Sequence, residues 1–126
     1  MNQTFWISNM GQIIPCSPNG HYAYIEQNYE RLFGKKPLNE AEIHDKPYLH
    51  GWVHIQNHFN TFNVRGNPQA IKQYGSKIRD VIFDRLMEER QFTVNIEYNN
   101  KAMINNFGTS YSFNMPDQFE DLRRAL

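Results

Sequence analysis

The sequence predicts an α+β fold: an antiparallel sheet built from hairpins with helices packed on one face, in a single domain spanning residues 1–126. Three observations carry that expectation. Stretches that alternate apolar and polar residues come in pairs separated by turn residues. Longer stretches at helical spacing separate the pairs. Nowhere do single strands and helices alternate in the regular manner of a doubly wound parallel sheet.

The chain has the length and the rings for one core. At 126 residues it is near the commonest domain size. Nine phenylalanines, seven tyrosines and two tryptophans each bury on the order of 150–250 Å² when packed, which argues for a folded protein. Thirteen basic and thirteen acidic side chains cancel, so the excess positive charge of a sequence-independent nucleic-acid binder is missing. A pI near 7.0 also removes the net repulsion that keeps small proteins apart, and this favours a homo-oligomer or a complex. Cys16 is the one cysteine, which excludes an intramolecular disulfide and a cysteine-only zinc site and suits the reducing cytoplasm. No run approaches the roughly 20 apolar residues that span a bilayer, and no basic-then-apolar leader opens the chain. The expectation is a cytoplasmic protein that neither enters membranes nor uses the usual secretory route.

Thr4-Phe5-Trp6-Ile7-Ser8 is β-rich, Asn9-Met10-Gly11 signals a turn, and Gln12-Ile13-Ile14 resumes a strand that Pro15 confines to a sheet edge. Ser17-Pro18 supplies a cap with proline at the first helical position. Tyr22, Ile25, Tyr29, Leu32 and Phe33 then follow at helical spacing, which predicts a helix over 18–33 ending at Gly34. Residues 35–50 hold Pro37 and Pro47 among polar neighbours and read as a long loop, with only Glu40 to His44 helical. From Gly51 the period becomes two: Val53 and Ile55 point one way, Trp52, His54 and Gln56 the other. With Asn57-His58 as a turn and a partner strand from Phe59 to Arg65, this makes a second hairpin.

Asn67-Pro68 opens the clearest helix, over 68–89, in which Ile71, Tyr74, Gly75, Ile78, Ile82 and Leu86 form the inward stripe, with Val81 a candidate to join it. Its polar side balances Lys72, Lys77, Arg79 and Arg85 against Asp80, Asp84, Glu88 and Glu89, an ordinary solvated face. Phe92, Val94, Ile96 and Tyr98 alternate as a strand. Further strands are expected over Met103 to Phe107 and Ser110 to Phe113, and a last helix after Asn114 and Pro116 carries Phe119, Leu122 and Leu126. Fifteen asparagines suit many tight turns.

Three groupings could carry chemistry. His50, His54 and His58 recur every fourth residue; on a helix two of them could share a metal, but on a strand the spacing is about 13 Å. The Val53/Ile55 alternation favours the strand, so the expectation is no metal and a polar, partly exposed strand face. His44-Asp45 is a possible acid–base pair in a loop, without the nucleophile or held water it would need. Cys16 precedes a helix start with His21 five residues on, a place where a thiolate can be reactive, although single cysteines are commonly small buried hydrophobes. No Gly-rich phosphate loop occurs, and no cofactor is implied.

Trp6-Ile7-Ser8-x-x-Gly11-x-Ile13-Ile14, then His21 ahead of a helix ending Leu32-Phe33-Gly34, then Gly51-Trp52-Val53-His54-Ile55, resembles a loose family of small uncharacterised proteins of tailed bacteriophages. The resemblance covers about residues 5–65 and departs at His54, where that family carries a basic side chain. It brings no activity with it. What it implies is an accessory protein, in the host cytoplasm, that modulates or inhibits a host system by binding.

The reading that follows is a non-enzymatic binding protein holding a host protein, a second copy of itself or a small nucleotide-like ligand. Trp6, Tyr24, Tyr48, Trp52 and His54 are the candidate contacts, because aromatic rings anchor interfaces and stack on bases. Core packing is the competing role for each ring. The alternative function is a small hydrolase using histidines and Cys16.

Overall fold

A computed structural model describes residues 2–59, 61–85, 93–98 and 110–114. Six strands form one sheet in the order β2-β1-β3-β4-β5-β6. The N-terminal hairpin is β1 (Asn2–Ile7) and β2 (Ile13–Cys16). Its second strand is the sheet edge, as Pro15 requires. The turn between them is closed by Ser8 N–H to Gln12 O (2.9 Å) and by Gly11 N–H to Ser8 O (2.9 Å).

The first helix, α1 (His21–Phe33), starts three residues later than its proline signal suggests. Residues 18–19 are spent in a turn instead, closed by Gly20 N–H to Ser17 O (2.9 Å). The same Ser17 carbonyl accepts from the Thr4 hydroxyl at 2.8 Å, which ties the turn to β1. Gly34 ends the helix at φ 88°, a left-handed conformation that glycine adopts without strain.

Residues 35–50 are not the long loop the prolines suggest. Asn39 caps a helix, α2 (Glu40–Leu49), by accepting from Glu42 N–H at 2.9 Å, and the helix runs through Pro47. A proline so near the end removes one hydrogen bond, and its carbonyl is put to use in the exit. Pro47 O accepts from His50 N–H (3.2 Å) and Trp52 N–H (2.9 Å), steering the chain into β3 (Val53–His58). That strand pairs with β4 (Thr61–Gly66). His58 is the last residue of β3, so the turn lies one step later than Asn57-His58, with Phe59 at φ 52°.

Asn67 caps the next helix by accepting from Ala70 N–H (2.8 Å), with Pro68 first in it, as expected. The expected single helix is two, α3 (Pro68–Gln73) and α4 (Gly75–Arg85), broken at Tyr74 next to Gly75. The Tyr74 hydroxyl is held by Asn9 O at 2.7 Å. Ile71, Ile78 and Ile82 are buried as the stripe predicts, while Leu86 lies outside the described residues. The strands β5 (Thr93–Tyr98) and β6 (Ser110–Asn114) complete the sheet; the expected strand at 103–107 and the last helix also lie outside the described residues.

The α+β class and the hairpin construction stand, with two differences. One neighbouring pair, β4 with β5, is parallel, because the chain crosses over through α3 and α4 before returning. The helices also occupy both faces. Phe5, Ile7, Val53, Ile55, Phe62, Val64, Val94 and Ile96 pack with residues of α3 and α4, while Trp6, Ile14 and Trp52 pack with Ile25 and Tyr29 of α1 and Ile43 and Tyr48 of α2. Phe5-Trp6-Ile7 is buried at three successive positions, which in a strand means burial on both sides. Among the described residues no helix is long and apolar enough to cross a membrane.

Candidate functional site

The α1/α2 layer reaches only as far as β3, and the polar rows begin there. Strand alternation puts His54 opposite Trp6 on one side and Arg65 on the other, and Arg65 opposite Glu97. Two residues along, Gln56 is opposite Asn63 and Asn63 opposite Asn95. On the far face these strands carry Ile55, Val64 and Ile96, so the same elements are apolar behind and polar in front. The two rows and His21, the first residue of α1, border a groove of about 330 Å³.

His21 is placed by its neighbour Trp6. The buried indole donates to His21 O at 2.9 Å, fixing the start of α1 against β1. The His21 ring stacks on His54, with centroids 4.0 Å apart and planes 14° from parallel. His54 is only 6% exposed, and neither its Nε2 nor His21 Nδ1 has a hydrogen-bond partner among the described residues. Buried polar atoms are almost always paired, so two unpaired ring nitrogens on residues lining one groove are the most informative feature of the surface.

Burial, more than neighbouring charge, disfavours the charged form of both rings. Burial, then His21, then Arg65, push the His54 pKa down to about 3. Burial, then His44 and Arg65, lower that of His21. A neutral imidazole offers one donor and one acceptor, assigned by its surroundings. Burial works against the charge of Arg65, but Glu97, Tyr48 and Tyr22 outweigh it and hold the guanidinium protonated. Its Nη2 donates to Glu97 Oε2 at 2.8 Å, so this cation and this carboxylate on the groove offset each other. Asn95 Nδ2 donates to Asn63 Oδ1 at 2.9 Å, which fixes the amide row.

A second polar chain lies behind. The hydroxyls of Tyr22 and Tyr48 are 2.9 Å apart, and the Tyr22 ring packs on His44 at 4.0 Å. Tyr48 is 3% exposed; burial first, then Tyr22, raise its pKa, so the phenol stays protonated, while its oxygen can accept from Arg65.

The five expected contacts are separated by the fold. His54 lines the groove, but it is buried, where the sequence suggested a partly exposed face; the α1 N-terminus and Trp6 cover it. Trp6 is fully buried and supports the groove from below, without a surface of its own. Tyr48 is buried in the second polar chain. Tyr24 and Trp52 border a different hollow, between α1 and the β1–β2 turn. His50 caps α2 and His58 ends β3, so the three spaced histidines do not come together. His44-Asp45 is helical, within α2. Among the described residues no three His, Cys, Asp or Glu side chains are grouped to hold a metal. Cys16 is partly buried in β2, its thiol donating weakly to Ile14 O at 3.7 Å, and burial raises its pKa.

Arg65, Glu97 and the amide row were not singled out by the sequence, and His21 entered as a candidate site residue only as a partner for Cys16. The signal was available in the hairpin. With the turn placed after His58, His54 must face Arg65; with the turn at Asn57-His58, that pairing is lost.

Comparison with protein-family models, with curated proteins and with solved structures finds no match.

Proposed function

We propose that this chain is a non-enzymatic binding protein whose polar groove takes the base of a small nucleotide-like ligand, in keeping with an accessory role of the phage type in which such binding modulates a host system. The observation that carries the reading is the stacked pair of imidazoles, His54 buried and His21 half-buried, each with a nitrogen that has no partner among the described residues, beside a row of amides. A nucleobase edge alternates N–H donors with carbonyl and ring-nitrogen acceptors. Asn63, Asn95 and Gln56 can each answer both kinds, and each imidazole answers one. Arg65 and Glu97 cancel, so selection rests on the hydrogen-bond pattern rather than on net charge.

The hydrolase alternative has less behind it. A thiol nucleophile acts as the thiolate, and burial holds Cys16 protonated. A histidine with a pKa of about 3 is too weak a base to take a proton efficiently at neutral pH.

Isothermal titration with nucleobases, nucleosides and nucleotides tests the reading. Binding of at least one of them, retained in the phosphate-free form and lost in Asn63→Ala or His54→Ala, is the expected result. No binding across the panel, or binding indifferent to both substitutions, removes it.

A further inference from the structure

Between α1 and the β1–β2 turn lies a hollow of about 350 Å³ that shares no residue with the polar groove. Ile14, Leu32 and Trp52 wall it, and Tyr24, Arg31 and the β1–β2 turn border it. Trp52 is 2% exposed, and its indole N–H has no acceptor among the described residues. A buried indole normally finds one, as Trp6 does on His21 O at 2.9 Å.

Arg31 and Tyr24 add further donors, while the amides of Asn9 and Gln12 on the turn can both donate and accept. Among the described residues Arg31 is the one charged side chain lining the hollow. Its Nη2 donates to Asn28 Oδ1 (2.9 Å) and to Tyr24 Oη (3.4 Å). A guanidinium has five N–H groups, so most of its capacity remains. Because Tyr24 Oη already accepts from Arg31, its own hydrogen is free to donate elsewhere. Ser8 Oγ, in contrast, is occupied, accepting from Met10 N–H (3.2 Å) and Gln12 N–H (3.1 Å). Among the described residues no aspartate or glutamate lines the hollow.

The rim is braced rather than loose. The two turn bonds on Ser8 and the Tyr74 hydroxyl on Asn9 O hold residues 8–12 from within and from behind. On that braced turn Met10 is 88% exposed, an apolar and adaptable side chain at the mouth of the hollow.

We propose that this hollow is a second binding site, for a carboxylate attached to a short branched aliphatic chain. The carboxylate is an acceptor-only group and matches a donor set of indole, guanidinium and phenol. The aliphatic part lies against Ile14, Leu32 and Met10. Two sources share this chemistry, the C-terminal leucine of a peptide and a free branched carboxylic acid. The site is independent of the groove and of any ligand there.

Nitrogen-15 NMR of the intact chain tests it, since Trp6 and Trp52 give its two indole N–H signals and Trp52→Phe or Trp6→Phe assigns them. The probes are 4-methylpentanoate, N-acetyl-glycyl-leucine and the C-terminal amide of that dipeptide. The carboxylates are expected to shift the Trp52 signal and leave that of Trp6 in place. Amidation of the probe and Arg31→Gln should each weaken binding about tenfold, the loss of one charge-assisted hydrogen bond. Tighter binding of the dipeptide than of the free acid identifies a peptide terminus as the source, and the reverse order identifies the free acid; both support the site. The proposal is overturned if neither carboxylate moves the Trp52 signal at about 10 mM, where even a Kd of about 1 mM would saturate most of the protein. It is also overturned if the amide binds as well as the acid, or if Arg31→Gln leaves affinity unchanged.

Discussion

Replacing His54 by glutamine should abolish a pH-dependent loss of stability. In the native chain the His54 pKa is about 3, chiefly because the ring is buried, whereas an unfolded chain presents histidine at about 6.5. As pH falls, the unfolded chain takes the proton first. Stability from the buried neutral ring is therefore complete above about pH 6.5, declines through the window between about 6.5 and 3, and is lost below it. At pH 5 the unfolded histidine is almost fully protonated and the native one almost fully neutral, a difference of about 2 kcal/mol. His21, shifted in the same direction, adds to the acid sensitivity of both proteins and cancels in the comparison. Urea unfolding at pH 7.5 and pH 5 for the native chain and for His54→Gln measures it. With an m value of about 2 kcal/mol/M, the midpoint should fall about 1 M further in the native chain than in the variant between the two pH values. Equal falls in both proteins would refute the neutral, buried assignment of His54.

Ile78→Asp places an unpaired carboxylate in the cluster under α4, where Ile78 is 1% exposed; a loss of about 4 kcal/mol or more, seen as failure to unfold cooperatively by circular dichroism, is expected. Asn67→Ala removes both the cap on Ala70 N–H and the 3.0 Å bond from Asn67 Nδ2 to Tyr48 O, so chemical denaturation should show a loss of about 1–2 kcal/mol. Gly66→Ala brings a methyl group within 3.2 Å of Ile71 and Val53, and a cost of about 1–3 kcal/mol is expected, measured the same way. For an assembly held by the exposed turn and sheet edge, multi-angle light scattering should give a mass above that of one 15.0 kDa chain; a single-chain mass at high concentration would count against self-association.

The elements legible in the sequence are those with local chemistry. Asn67-Pro68 announces its helix because both the cap and the missing donor are written in two adjacent residues, and Pro15 announces an edge because it cannot donate to a neighbouring strand. Pro47 misleads for the complementary reason: its penalty falls on one bond near a helix end, and the compensation, Trp52 N–H on its carbonyl, is supplied from beyond the helix. Strand direction is not local either. Nothing in Val94 or Ile96 distinguishes a parallel from an antiparallel partner, since both pairings bury the same alternate residues. The site suffered most, because His21, His54, Arg65 and Glu97 lie on four elements and meet only through register. Burial on both faces was readable in Phe5-Trp6-Ile7 and in Trp52-Val53, where adjacent large apolar residues leave no side for water.

That double-sided burial has a bearing on how β1 finds its place. Were β1 to slip by one residue against β3, Phe5 and Ile7 would enter the compartment of α1 and α2, and Trp6 would enter that of α3 and α4, oil exchanged for oil. Apolar burial alone discriminates poorly between the two alignments. The penalty comes from two polar groups: Thr4 would part from the Ser17 carbonyl, and the Trp6 indole would be sealed away from the His21 carbonyl with nothing to receive its proton. Fidelity of threading thus resides in a hydroxyl and an indole N–H, while the strength of the fold resides in the rings. Trp6→Phe would spare much of the second and relax the first, yielding a chain that still collapses but samples more than one alignment.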